Sequence, residues 1–271
     1  MIDKHLGKIS KYQNKYSPSL LEAIPRQFGR DRKSIRNPLP FTGYDFWNCY
    51  EVSWLNHKGK PEVAIIEFIV PAESEFLVES KSLKLYLNSF NGTKFSSRFE
   101  VSHKISNDIG KIIGKNIIVN LSNLNTIDNN YIKIMHGFCL DDLDVVIDEY
   151  QTNPELLELD LQKKDVNETL YSNLFKSNCL VTNQPDWAAV SISYEGQKIS
   201  RESLLRYLVS FRDVSELHEE CVESIFYDIW TRCKPQKLVV HAKYTRRGGI
   251  DISPLRSSHK ITEFKKFRDV R

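Results

Sequence analysis

Apolar residues recur at Leu83, Tyr86, Leu87 and Phe90, and again at Leu204, Tyr207, Leu208 and Phe211. The i, i+3, i+4, i+7 spacing predicts two amphipathic helices, each turning one stripe to a core. Ahead of the first, Ala64, Ile66, Phe68 and Val70 alternate with Ile65, Glu67 and Ile69. That period of two predicts a strand, closed by Pro71, which has no N–H to give to a ladder. Ahead of the second, Val190, Ile192 and Tyr194 alternate with serines up to a turn at Glu195-Gly196. A further helix is expected over Ser215–Trp230, with Ser215 as N-cap and Val222, Ile225 and Ile229 on one face.

The two stripes belong to a longer match. ESKSLKLYLNSF, from Glu79, lies over SRESLLRYLVSF, from Ser200, with half of the aligned positions identical, and at the same offset Ile117, Ile118 and Val119 fall on Leu238, Val239 and Val240. An internal duplication follows, each copy reading strand, helix, strand. The expected architecture is α+β, with helices on one side of antiparallel sheets. Between the copies, Leu140–Asp160 is acidic and holds Pro154, as a connector would. The expected organisation is therefore a module over 1–140, a connector over 141–160 and a module over 161–271.

Composition narrows the class only a little. The 271 residues are 41% hydrophobic and 27% charged, with a net charge of +3, an ordinary globular surface and not the basic coat of a dedicated nucleic-acid binder. The five cysteines, Cys49, Cys139, Cys179, Cys221 and Cys233, show no CxxC spacing and fit a reducing compartment. The N-terminal stretch lacks the apolar core of a signal peptide, and no run of about 18 apolar residues exists to span a membrane. A cytoplasmic protein without membrane association is expected.

Candidate chemistry gathers in two segments. In SNCLVTNQPDW, Cys179 is followed by Asp186 across a bend at Pro185. A thiol becomes a nucleophile where its thiolate is stabilised, and a nearby carboxyl can manage the proton that its attack requires. The same residues also fit a buried cysteine and a turn aspartate. In His218-Glu219-Glu220-Cys221, Glu219 stands at a helix start, where backbone donors favour a carboxylate, and it suits the N–H edge of a purine. His218 shares the apolar stripe and also reads as a core histidine. Zinc ligation by His218 and Cys221 would lack a second ligand pair.

Four motifs in order resemble those of the NADPH-dependent 7-cyano-7-deazaguanine reductases of queuosine biosynthesis, in their long, two-module branch. They are VESKSLKLYLNSF from Val78, SNCLVTNQPDWA from Ser177, SELHEECVESIF from Ser215 and YTRRGGIDISPLR from Tyr244. The resemblance implies tandem tunnelling-fold modules and a soluble homodimer with no metal and no direct nucleic-acid partner. It implies that Cys179 adds to a nitrile carbon to give a thioimidate, that Asp186 protonates the nitrogen, and that His218 assists. Val78, Glu79, Ser80, His218 and Glu219 would hold the deazapurine, and Ser80, Lys81, Arg247 and Gly248 would contact NADPH. Without the resemblance, Lys81 is a solvated helix charge, Arg246-Arg247-Gly248-Gly249 a basic turn and Glu79 a helix-start acid. No Rossmann GxGxxG is present. Cys49 follows an asparagine as Cys179 does, but no Pro-Asp pair follows it, so it is expected to be structural. One composite site per chain, where the modules meet, is the natural count.

Two other readings differ in kind. One is a zinc-dependent pterin or purine enzyme on the same fold, as GTP cyclohydrolase represents. The other is an RNA-binding module using the basic stretch Lys243–Arg271, although Asp251, Glu263 and Asp269 dilute its charge.

Overall fold

The computed structural model describes residues 12–126 and 135–261, so the ends of the N-terminal and basic C-terminal stretches discussed above lie outside the described residues. In chain order the main elements are β1 (Ala23–Pro25), α1 (Gln27–Arg32), β2 (Thr42–Leu55), β3 (Pro61–Pro71), β4 (Phe76–Val78), α2 (Ser80–Asn88), α3 (Arg98–Ile113) and β5 (Val119–Ser122). They continue as β6 (Phe138–Cys139), β7 (Val166–Ser172), β8 (Lys176–Asn178), β9 (Pro185–Gly196), α4 (Arg201–Val209), α5 (His218–Arg232), β10 (Lys237–Tyr244) and β11 (Ile250–Ser257). This is a mixed α/β fold whose sheets are mainly antiparallel. Two compact units are built from interleaved segments: 12–28, 45–126 and 246–252 in the first, 29–44, 135–245 and 253–261 in the second.

In the first unit β3 runs between β2 and β5, pairing antiparallel with β5 through Ile66 and Leu121. Ala64, Ile66, Phe68 and Val70 are buried, as the alternation requires, and Leu83, Tyr86, Leu87 and Phe90 of the α2 stripe join the same core. Val101, Ile105, Ile109 and Ile113 bring one face of α3 to it. Asp108 of α3 accepts hydrogen bonds from the Tyr86 hydroxyl at 2.7 Å and the Tyr16 hydroxyl at 2.6 Å.

The second unit is built on β7, β9 and β10. β9 pairs antiparallel with β10 and β7, and β11 extends the sheet beyond β10. Leu204, Tyr207, Leu208 and Phe211 are at most 1% exposed. The Tyr207 hydroxyl donates to Asp228 of α5 at 2.6 Å, so the helix-to-helix Tyr–Asp bond of the first unit recurs here. Burial pushes the Asp228 carboxyl above the usual carboxylate range, while the Tyr207 hydroxyl draws it down.

The helix at the candidate site begins at His218, not at Ser215. Ser215 is drawn into strand-like pairing instead: Asn178 N–H donates to Val214 O at 2.8 Å and Glu216 N–H to Asn178 O at 3.2 Å. The start at Leu217 is completed by the Glu220 carboxylate, which accepts from the Leu217 N–H at 3.2 Å.

A row of acidic residues fixes α5 to residues 29–44. Glu223 is gripped by both nitrogens of the Arg30 fork, at 2.8 and 2.9 Å, and by Arg256 at 2.8 and 3.1 Å. Both guanidiniums lie over the Phe41 ring. Glu220 meets Arg32 at 2.7 Å and Glu216 meets Lys33 at 3.0 Å. Glu223 is the carboxylate shared by two buried guanidiniums, so Glu223→Ala should cost about 3–5 kcal/mol in urea unfolding, because removing one partner of a buried ion pair leaves its charge poorly compensated. Arg32 is 47% exposed, and Arg32→Ala should cost no more than about 1 kcal/mol in the same assay.

Candidate active site

In each unit the candidate residues are placed by short-range backbone geometry. In the second unit, β8 and β9 form a hairpin in which Ser177 faces Asp186 and Asn178 faces Pro185. The ladder carries on for one residue: Cys179 N–H donates to Gln184 O at 2.8 Å, and Asn183, at a left-handed φ of 55°, donates its N–H to Cys179 O at 3.0 Å. Ser177 and Asp186 face one another across this ribbon, and Cys179 follows just past the last paired position of β8. On the other side of β8 runs residues 214–216, which leads directly into α5. Thus the hairpin that holds Cys179 and Asp186 also fixes the first turn of the helix that carries His218 and Glu219.

His218 Nε2 lies 3.3 Å from Asp186 Oδ2, with the aspartate side chain 6% exposed. His218 Nδ1 is buried and has no hydrogen-bond partner among the described residues. The imidazole lies flat on Tyr244, with centroids 3.8 Å apart and planes inclined by 11°. Glu219 is 4% exposed, on the first turn of α5. Cys179 is half-buried.

The cysteines are sharply distinguished by environment. Burial pushes the Cys49 and Cys221 thiols well above their ordinary value and Cys233 up to about 11. Alkylation of the native protein near pH 8, mapped by peptide mass, should label the half-buried Cys179 and Cys139 and spare Cys49, Cys221 and Cys233 until the chain is unfolded, because only an accessible thiolate reacts.

In the first unit, β4 pairs with β1 so that Val78 faces Ala23, and Glu79 N–H donates to Glu22 O at 2.9 Å. Glu79 is the N-cap of α2: its two carboxylate oxygens accept from the N–H groups of Lys81, at 2.9 Å, and Ser82, at 2.5 Å. The helix-start role is therefore realised, with both oxygens already engaged. Lys81 and Lys84, one turn apart, line a cavity of about 230 Å³ together with Glu51, Asn88, Gly248 and Gly249. Arg247 N–H donates to Ile250 O at 2.9 Å across Gly248 and Gly249, whose φ values of 58° and 75° are those of a type I′ turn. A side chain at Gly248 would begin 2.8 Å from the Lys84 ammonium, so the glycine keeps this wall open. Ser80, Val78 and Arg247 are not among the lining residues.

Lys84 and Tyr244 fall inside two of the motifs and Glu51 outside them, but none was given a role by the sequence, since each matters through a fold-made neighbour. Among the described residues, no group of three or more His, Cys, Asp or Glu side chains is placed to hold a metal ion, and no helix is long and apolar enough to cross a membrane.

A cysteine, a buried carboxyl and an imidazole lie on one hairpin and the helix start beside it. A family model described as nitrile reductase, 7-cyano-7-deazaguanine-reductase N-term, matches residues 12–121, and one described as QueF-like protein matches residues 185–263. Relatives named NADPH-dependent 7-cyano-7-deazaguanine reductase, from Dechloromonas aromatica (strain RCB) and Acidovorax ebreus (strain TPSY), are 52% identical over 267 residues and 49% identical over 272 residues. Both alignments cover 98% of this chain, and they cover 94% and 97% of the relatives. The chain belongs to the 7-cyano-7-deazaguanine reductase family, as its four motifs implied.

Proposed function

We propose that this chain reduces the nitrile of 7-cyano-7-deazaguanine to the aminomethyl group, using two NADPH, as a step in making the queuosine of tRNA. The observation that carries the reading is the hairpin that holds Cys179, two residues after the partner of Asp186, with His218 Nε2 3.3 Å from that aspartate. A nitrile is a poor hydride acceptor. Addition of the Cys179 thiolate to its carbon, with Asp186 giving a proton to its nitrogen, makes an activated C=N bond and splits one hard step into easier ones. His218 stands where it can return a proton to Asp186. Val78, Glu79, Ser80, His218 and Glu219 are assigned to the deazapurine; a Glu79 carboxylate that also caps α2 is held rigid for that task.

NADPH supplies the hydrides when bound. The fit of this chain to it rests on the first-unit cavity, where Lys81 and Lys84 offer cations for phosphate and the Gly248-Gly249 turn lets backbone approach closely. Ser80 and Arg247 flank that wall in sequence and complete the assigned contacts. The tandem tunnelling-fold organisation belongs to the same proposal, supported by the repeated Tyr–Asp bond between paired helices, and a homodimer is expected from the family resemblance alone.

The test is stoichiometry. Purified protein given 7-cyano-7-deazaguanine should oxidise two NADPH per nitrile and yield a product of aminomethyl mass. Binding to tRNA without turnover of the free base would instead support the RNA-binding reading, and activity that requires bound zinc would support the metalloenzyme.

A further inference from the structure

Tyr244 ends β10 opposite Ala188 of β9 and is 3% exposed. Its ring covers one face of the His218 imidazole at 3.8 Å. Thr245 N–H donates to Trp187 O at 2.9 Å, fastening this end of β10 to the strand that carries Asp186. The Tyr244 hydroxyl is buried beside the Cys221 thiol and the Ser177 hydroxyl, although neither hydroxyl completes an aligned hydrogen bond among the described residues. Cys221 lies one turn after His218 on α5, and Ser177 faces Asp186 across the hairpin. Burial keeps both the phenol and the Cys221 thiol protonated, so the group is neutral and contributes packing and dipoles, not charge.

The torsion that turns an imidazole about its own bond is soft and broadly populated. Which edge His218 shows to Asp186 is therefore decided by what lies on its faces. A flat aromatic surface within van der Waals reach leaves the ring free to slide but not to tip, and tipping is the motion that would withdraw Nε2 from Asp186.

We propose that Tyr244 is a positioning residue that acts through His218: its ring holds the imidazole edge-on to Asp186. The inference rests on the reductase reading. It is tested by a double-mutant cycle together with a spectroscopic readout that needs no turnover.

Tyr244→Leu should lower kcat about 10- to 100-fold, the scale on which a small misplacement of a reacting group costs rate. The same change in a His218→Ala background should cost less than about threefold, because the group through which it acts is gone. Tyr244→Phe, which keeps the ring, should restore most of kcat. In the wild type and in Tyr244→Phe, the carbon-bound ring protons of His218 should resonate upfield of an unstacked histidine in NMR spectra of histidine-labelled protein. An equal penalty in both backgrounds would overturn the proposal, as would a leucine variant of full activity. An unshifted His218 in the wild type would overturn it even where Tyr244→Leu fails to fold. A shifted His218 in a protein that never consumes NADPH would remove the reductase reading and not the stack.

Discussion

Cys179→Ala should leave a folded protein that neither consumes NADPH nor becomes covalently attached to the nitrile. The residue sits after the last paired position of β8, with its N–H and C=O both engaged by the 179–184 turn, so losing the thiol removes a nucleophile without opening a core. If the rate depends on covalent activation, the loss has no partial form, because alanine offers no nucleophile to the nitrile carbon. Steady-state NADPH oxidation checks it, with a thermal melt to show that the fold persists. Turnover within tenfold of the wild type would mean that hydride reaches the nitrile without the cysteine.

Asp186→Asn should slow the chemical step by about 10²–10⁴-fold while leaving adduct capture measurable, since general acid catalysis by a positioned carboxyl is worth that much. The amide is the same size and sits on the same strand, but it cannot give up a proton as a carboxyl does. His218 would keep a polar neighbour where it now has Asp186 Oδ2 at 3.3 Å. Single-turnover measurements separate the outcomes: a slowed first turnover with unchanged nitrile affinity is expected, and an unchanged rate across pH would take Asp186 out of the proton path.

The parts legible in the sequence were those whose physics is local. The α2 and α4 stripes and the β3 alternation all bury the residues that their periods select, because one solvent-facing side is enough to create the pattern. β2 left no such trace: burial falls on Gly43, Asp45, Trp47 and Cys49 and then shifts phase to Val52 and Trp54, so no single period describes it. α3 carries local signals of the same kind, with Ser97 capping at Glu100 N–H, Val101, Ile105 and Ile109 in line, and a left-handed Gly114 at its end. The start of α5 was misplaced because Ser215, a good N-cap residue, is claimed by pairing with Asn178, a tertiary competitor that local propensity does not register.

The same division runs through the site. The Cys179-to-Asp186 spacing was visible, but its meaning depends on a hairpin turn whose left-handed residue is Asn183, not a glycine. The His218 contact with Asp186 and the Tyr244 stack join α5 to β9 and β10, and no sequence interval encodes them. Glu79 shows the opposite case, since the plain helix-start role and the proposed substrate role fall on one carboxylate.

The most direct measurement is intact mass of the wild-type protein after incubation with 7-cyano-7-deazaguanine and no reductant. Addition to a triple bond expels nothing, so the account expects a mass gain equal to the whole nitrile, located on the peptide that contains Cys179 and released when NADPH is supplied. An unmodified mass at saturating nitrile, or a label on any other residue, would contradict it.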